Sequence, residues 1–341
     1  MSAVAPAVAL LSRQIAECSQ RLGRRVVVDG RQALDRRGHL PLKPPGIWSP
    51  NRACRLIETA DGWIAANLAR DDDRALLPAW LEADVGEDPW PAVIAVARRR
   101  PSQELIEGAR LLGLPVSRIG ETAGAPLEAT RQRRAAGRNG VRAGLSVIDL
   151  SAMWAGPLCG AILAEAGASV TKVESTRRPD PVRHATPGLY ARLNGAKAEQ
   201  AIDFADRSAI AGLRGDIAAA GVLITGARPR AFAQLGLTPD LLFADNPGLV
   251  WVAISGYGWL GEDADRVAFG DDAAAAGGLL RWTPGGAPRF VGDALSDPVT
   301  GLSAAAGALA ALEEGGGMLV DAALARCAAG AAAMRSLRRA A

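Results

Sequence analysis

The sequence has no apolar run of about eighteen residues or more, so no membrane-spanning helix is expected. Aromatic residues make up 4% of the chain, and its two histidines are His39 and His184. The four cysteines, Cys18, Cys54, Cys159 and Cys327, show no CxxC or other metal spacing, which argues against a zinc site and against a disulfide framework. Lysine is scarce as well: Lys43, Lys172 and Lys197 are the only ones, and every other basic residue is arginine. Those arginines are scattered among nearly as many carboxylates, for a net charge of +3. Nucleic-acid binding would need a basic stripe with interleaved aromatics, which is not there. The opening MSAVAPAVALLSRQ has no basic residue ahead of its short apolar stretch and reads as the start of a helix, not a secretory leader. The expectation is a cytoplasmic chain with no nucleic-acid, membrane or metal partner.

What is present is hydrophobic material, 49% of 341 residues, enough for a full core in one or two domains. Residues 6–22 read as a helix. RLIETADGWIAANLA (55–69) reads as a hairpin around Asp61-Gly62, glycine accepting the positive φ of a tight turn. Helical stretches follow at about 72–83 and 101–112, the second stopped by Gly113 and Pro115. Residues 121–143, rich in Gly, Ala and Arg without a sustained period, read as a linker after a small α+β domain over 1–120. From 144 the pattern changes. LSVIDLS, SVTKVES, GVLIT, LVWVAIS and MLVDA read as strands; AGPLCGAILAEAG, about 207–219, about 228–245, GLSAAAGALAALEE and the Ala-rich end read as helices. This alternation predicts an α/β domain over 144–341 with a doubly wound, Rossmann-like parallel sheet.

AGPLCG lacks the GxGxxG spacing of a dinucleotide site, although a helix start there offers free N–H groups to an anion, and Pro157 is tolerated at such a start. VIDLSAMWAGPLCGAILAEAGASVTKVES resembles the opening of the class III CoA-transferases, the CaiB/BaiF family. The likeness continues in order. Asp180 and Arg183 match the family's acid–arginine step, LNGAKAEQAIDF its asparagine–lysine segment, ARPRAFAQLGL its turn before LGL, and DNPGLVWVAISGYGWLG its strand and loop. LSDPVTGLSAAAGALAALEEGGGMLVDAAL matches the stretch with the catalytic aspartate. The resemblance covers about 145–325 and implies an acyl-CoA:carboxylate CoA-transferase that takes acyl-CoA and a carboxylic acid as substrates, holds no permanent cofactor and forms a homodimer. It makes Asp297 the nucleophile that converts a thioester to a mixed anhydride and then carries CoA as an enzyme thioester. A desolvated, aimed carboxylate suits that role. From position alone, Asp297 ahead of Pro298 reads first as a helix N-cap, and the family resemblance is what turns the reading to the nucleophile. Candidates for contact with CoA or substrate are Trp154, Ala155, Gly156, Pro157, Lys197, Arg228 and Tyr257; Gly156 and Pro157 also have a purely structural reading.

The chain departs from the family pattern in places. Ser175 and Gln234 stand where basic residues are usual, Gly226 and Ala227 replace an asparagine–aromatic pair, and Ala198 follows Lys197 in place of arginine. Arg177, Arg178, Arg228 and Arg230 lie nearby and could supply the charge, or could be solvated surface. No run matches the family's mobile Gly-rich loop. NRACRLIETADGWIAANLARDDDRALLPAWL and RRRPSQELIEGARLLGLPVSRIGE resemble the family's small domain but precede the aspartate here, a permuted order. Two other readings stay open: an acyl-CoA racemase of the same family, which would place a histidine where Gly270 stands, and a non-catalytic relative acting as a binding protein.

Overall fold

The computed structural model describes residues 3–137 and 144–340. The end of the expected linker, 138–143, lies outside the described residues, as do 1–2 and 341 of the expected domain boundaries. The hairpin forms from β1 (Cys54–Glu58) and β2 (Trp63–Asn67), antiparallel, with β3 (Val116–Arg118) added antiparallel to β2. Its connection spans residues 59–62, and Gly62 is not among the positive-φ glycines. Instead the Asp61 carboxylate accepts from the Ser102 N–H at 2.7 Å and ties the turn to the helix Ser102–Leu112. That helix ends as expected, with Gly113 at φ +69. The expected 72–83 helix is two short ones, Asp71–Ala75 and Leu77–Leu81, and Trp90–Ala97 is a further helix. Trp80, Trp90, Leu105 and Val116 share the core of this small unit.

β4 (Thr130–Arg133) lies inside the stretch expected as a linker. Its exposed TRQR sequence gives no apolar alternation, so nothing in its pattern marks it as a strand. The large sheet then collects β5 (Ser146–Leu150), β6 (Ser169–Ser175), β7 (Ala198–Ile202), β8 (Val222–Thr225) and β9 (Val250–Ser255). After the small hairpin of β10 (Leu280–Trp282) and β11 (Pro288–Phe290) comes its last strand, β12 (Met318–Ala323). The order is β4-β12-β9-β8-β5-β6-β7, parallel throughout except for β4. Numbered along the chain, the six parallel strands run 3-2-1-4-5-6, the doubly wound order with its reversal between β5 and β8. VLIT, VWVAIS and MLVDAA are buried at every position, as strands covered on both faces must be. The expected 228–245 helix breaks at Gly236, φ +72, into Pro229–Gln234 and Pro239–Asp245.

One helix organises the core. Ser296–Glu313 is buried on nearly every side by Ala and Gly, and packs against Ala155–Glu165, Ala5–Arg21 and the sheet. Ala5–Arg21 falls among the residues expected as the small domain, yet Ala7, Leu11 and Ile15 enter the core of the large unit. Among the described residues, no helix is long and apolar enough to cross a membrane. A Cβ at Gly301 would sit 2.6 Å from the carbonyl oxygen of Ala155, backbone that cannot yield cheaply. Gly301→Ala should therefore lower unfolding stability by roughly 1–3 kcal/mol in chemical denaturation, against the stabilisation that Ala normally brings to a helix.

Candidate active site

Asp297 is the second residue of Ser296–Glu313, whose N-cap position is Leu295 and carries no side-chain cap. The capping role that its position allowed is not taken up. The Asp297 N–H donates to the Ala294 carbonyl at 3.0 Å, closing a tight turn. Ala294 has φ +44, a left-handed conformation that costs a non-glycine residue energy unless its surroundings impose it. Two contacts do so. The Ala294 N–H donates to Asp271 Oδ1 at 2.8 Å, and the preceding Asp293 is gripped through both oxygens by Arg36, Nε at 2.5 Å and Nη2 at 3.0 Å. The Arg36 guanidinium lies over the Trp154 ring, 5.2 Å from its centroid.

The Asp297 carboxylate is partly accessible, but protein crowds it. Burial pushes its carboxyl up to about 7; Arg36 opposes this, Asp271 and Asp293 reinforce it, and the Gly270 N–H helps hold the charge. Burial, with Asp293 alongside, likewise raises Asp271 to about 6. Gly270 opens the helix Gly270–Ala276 against this carboxylate: a Cβ there would overlap Asp297 Oδ2 and lie 2.8 Å from the Ala294 carbonyl. The small unit buttresses the arrangement from behind. Asn51 Nδ2 donates to Asp271 Oδ2 at 2.9 Å, Asn67 Nδ2 to Asp272 Oδ1 at 2.9 Å, and Ser117 Oγ to the Asp272 carbonyl at 2.8 Å.

The loop from β5 to Ala155–Glu165 carries the next group of candidates. Met153, at φ +72, donates its N–H to both oxygens of Asp180 at 3.2 and 3.1 Å, and the Ser151 carbonyl accepts from Lys172 Nζ at 2.8 Å. These contacts aim Trp154, which is buried and whose Nε1 has no hydrogen-bond partner among the described residues. Ala155, Gly156 and Pro157 are buried in the first turn, where a Cβ at Gly156 would run into Ser151, the structural reading of that glycine. Lys197 Nζ donates to Asp149 Oδ2 at 2.8 Å, Asn194 Oδ1 at 2.8 Å and the Pro157 carbonyl at 2.9 Å. All three of its protons are used inside the protein, so it has none left for a CoA phosphate. Arg183 is likewise held by Glu174 at 2.6 Å and Glu199 at 3.0 Å. Tyr257 is buried, with its hydroxyl donating to Glu121 Oε1 at 2.7 Å and its ring beneath Arg266. Arg228 is partly buried; burial and the neighbouring Arg230 and Arg70 depress its pKa, and it faces Gly113 of the small unit. Cys159 is buried, its thiol raised by burial, as a core residue would be.

The structure thus brings Asp297 and Trp154 to one place and adds Arg36, Asp271 and Asp293, which sequence reasoning passed over. Arg36 sits in the charged stretch LDRRGHL, whose pattern is that of a solvated loop. A model of CoA-transferase family III matches residues 143–339, more than half of the chain. An acyl-CoA transferase of Fusarium pseudograminearum is 33% identical over 211 residues, 56% of this chain and 46% of that protein. The succinyl-CoA–D-citramalate CoA-transferase of Chloroflexus aurantiacus is 33% identical over 188 residues, 51% of this chain and 47% of its own length. The crystal structure of a CAIB/BAIF family protein from Brucella suis superposes with a TM-score of 0.53 at 29% identity, over 58% of this chain and 56% of that one. The chain spans about half the length of the curated relatives it matches.

Two stability measurements follow from these charges. Lys197→Met leaves Asp149 buried without its partner and should cost about 3–5 kcal/mol in denaturant unfolding, partly recovered by adding Asp149→Asn; unchanged stability with weakened CoA binding would instead restore Lys197 to the phosphate. Asp297 is raised in the folded state, so its contribution is present below the unfolded carboxyl pKa and lost as pH rises towards about 7. Asp297→Asn should accordingly melt above the wild type at pH 8 and close to it at pH 4.

Proposed function

Because the chain belongs to CoA-transferase family III, we propose that it moves CoA between an acyl-CoA donor and a carboxylic acid through Asp297. The observation that carries this reading is a single accessible carboxylate, made more basic than usual by burial among Asp271 and Asp293 and presented by a turn held rigid from both sides. Greater basicity makes a carboxylate a better nucleophile, and rigid presentation lowers the entropic cost of attack. The ionised Asp297 oxygen attacks the thioester carbonyl, a C–O bond forms, and the C–S bond breaks to release CoA thiolate and leave an acyl–aspartyl anhydride. The thiolate then attacks the aspartyl carbonyl and expels the donor acid. The acceptor carboxylate repeats the sequence in reverse, and Asp297 is regenerated with no net proton change. The Gly270 N–H lies where it can steady charge on the aspartyl group.

The nucleotide end of CoA would fit the crevice of about 360 Å³ at the carboxyl ends of β5, β6 and β7, where Arg177 and Arg178 join Ser175 and Phe204. Arg177 is engaged there by Asp203 at 2.8 Å, an exposed pair that a phosphate could outcompete. A homodimer and a cytoplasmic location go with this proposal. The racemase reading is disfavoured by the close approach of Gly270, which leaves no space for an imidazole beside Asp297.

Intact-protein mass spectrometry after incubation with a panel of acyl-CoAs tests the mechanism, and short dicarboxylic acyl-CoAs, the class named for one relative, are the first donors to try. Wild type should gain a CoA-sized mass mapped to Asp297, while Asp297→Ala gains none and loses turnover by on the order of 10³-fold or more. Because attack needs the ionised form, adduct formation should rise with pH through about 7 and level off above it. An adduct that survives in Asp297→Ala would remove Asp297 from the role, and no adduct with any donor would favour the non-catalytic reading.

A further inference from the structure

Arg36 lies outside residues 143–339, the part of the chain that matches the family. It follows the short helix Gly30–Leu34, in a loop anchored at several points. Arg192 Nη1 donates to the Asp35 carbonyl at 2.8 Å, and the N–H groups of His39 and Leu40 donate to the Arg36 carbonyl at 2.9 and 3.1 Å. From there its side chain, only 16% exposed, reaches the turn before Asp297, forks onto Asp293 and rests on Trp154. A planar fork fixed by two hydrogen bonds and a ring face has little freedom left, so it holds both the turn and a positive charge in place.

Resting on the reading of Asp297 as nucleophile, we propose that Arg36 is a positioning residue of this active site, which clamps the 293–297 turn through Asp293 and fixes a positive charge among the carboxylates that meet there. The groups around Asp297 make such a charge necessary. Asp293 approaches from its own turn, Asp271 and the Gly270 N–H from the helix Gly270–Ala276, and the neutral Trp154 flanks Arg36 at the start of Ala155–Glu165. Two of these neighbours are carboxylates, and each opposes ionisation of Asp297. The N-terminal segment is on this account a working part of the site, beyond its role in packing the large core.

The test is the pH profile of CoA-adduct formation in Arg36→Gln and Arg36→Lys. The acid limb should move up by about one pH unit in Arg36→Gln, with a rate loss of roughly tenfold at pH 6.5 that is much smaller at pH 8.5. Arg36→Lys, which keeps the charge without the fork, should move it less. A loss of equal size at every pH would reduce Arg36 to a structural part and overturn the proposal. A second readout does not depend on the transferase reading. Melting temperatures at pH 5.5 and 8.5 are compared for wild type, Arg36→Gln, Asp297→Asn and the double variant. Arg36→Gln should destabilise more at pH 8.5, where Asp297 is ionised. That excess should fall by at least half in the Asp297→Asn background, Asp271 accounting for the rest. An excess unchanged by Asp297→Asn would sink the proposal. If no acyl-CoA gives an adduct, the transferase reading fails while the melting comparison still decides Arg36; should Arg36→Gln not fold, Arg36→Met, which keeps much of the length of the side chain without its charge, is measured in its place.

Discussion

Three carboxylates, those of Asp271, Asp293 and Asp297, meet where the helix Ser296–Glu313 begins, and their mutual repulsion is the constraint around which the site is arranged. Like charges out of water are costly, and each must be neutralised, hydrogen-bonded or matched by a cation. Asp293 is matched by Arg36, Asp271 is bonded by Asn51 and the Ala294 N–H, and Asp297 keeps the smallest share of partners together with some access to solvent. The group left least satisfied is Asp297, the one proposed above as the nucleophile. A carboxylate fully compensated by its surroundings would be stable and unreactive.

The same principle, applied with the opposite result, explains the scarce lysines. Of three in the chain, Lys172 and Lys197 are buried beneath the loop between β5 and the helix Ala155–Glu165. Each is surrounded by acceptors: Ser151 and Asp180 for one, and Asp149, Asn194 and Pro157 for the other. A buried ammonium contributes little net stability against an apolar replacement, but breaking the pair leaves an uncompensated charge. What such pairs bring here is definition of a loop that includes Met153 in a left-handed conformation and that presents Trp154 to Arg36. Lys197, which the resemblance offered as a contact for CoA, makes its contacts with protein.

The small unit and the N-terminal segment act on the site from different sides. Asn51, Asn67 and Ser117, around the three-stranded antiparallel sheet, pin the helix Gly270–Ala276 by its two leading aspartates, so the packing of one unit sets the electrostatics of the other. Arg36 comes from a loop whose preceding helices belong with the large core. Both contributions come from residues outside the matched 143–339.

Much of the fold was legible in the sequence because its signals are local. Apolar runs of four to six residues alternating with helical stretches mark a parallel sheet, and VLIT, VWVAIS and MLVDAA could hardly be anything else once buried on both faces. The family was legible through its ordered motifs, and the turn chemistry of Gly113 through elementary backbone sterics. Other features carried no local mark. β4 is exposed and becomes a strand only because β12 offers it an open edge. Lys197 and Arg183 look like ligands for an anion until the acceptors around them, contributed by other strands and turns, are in view. Arg36 meets Asp293 across 257 positions of the chain. Periodicity and turn chemistry act over a few residues and can be read in one dimension. Burial and charge pairing are properties of a volume, and only the folded chain decides which side chains share it.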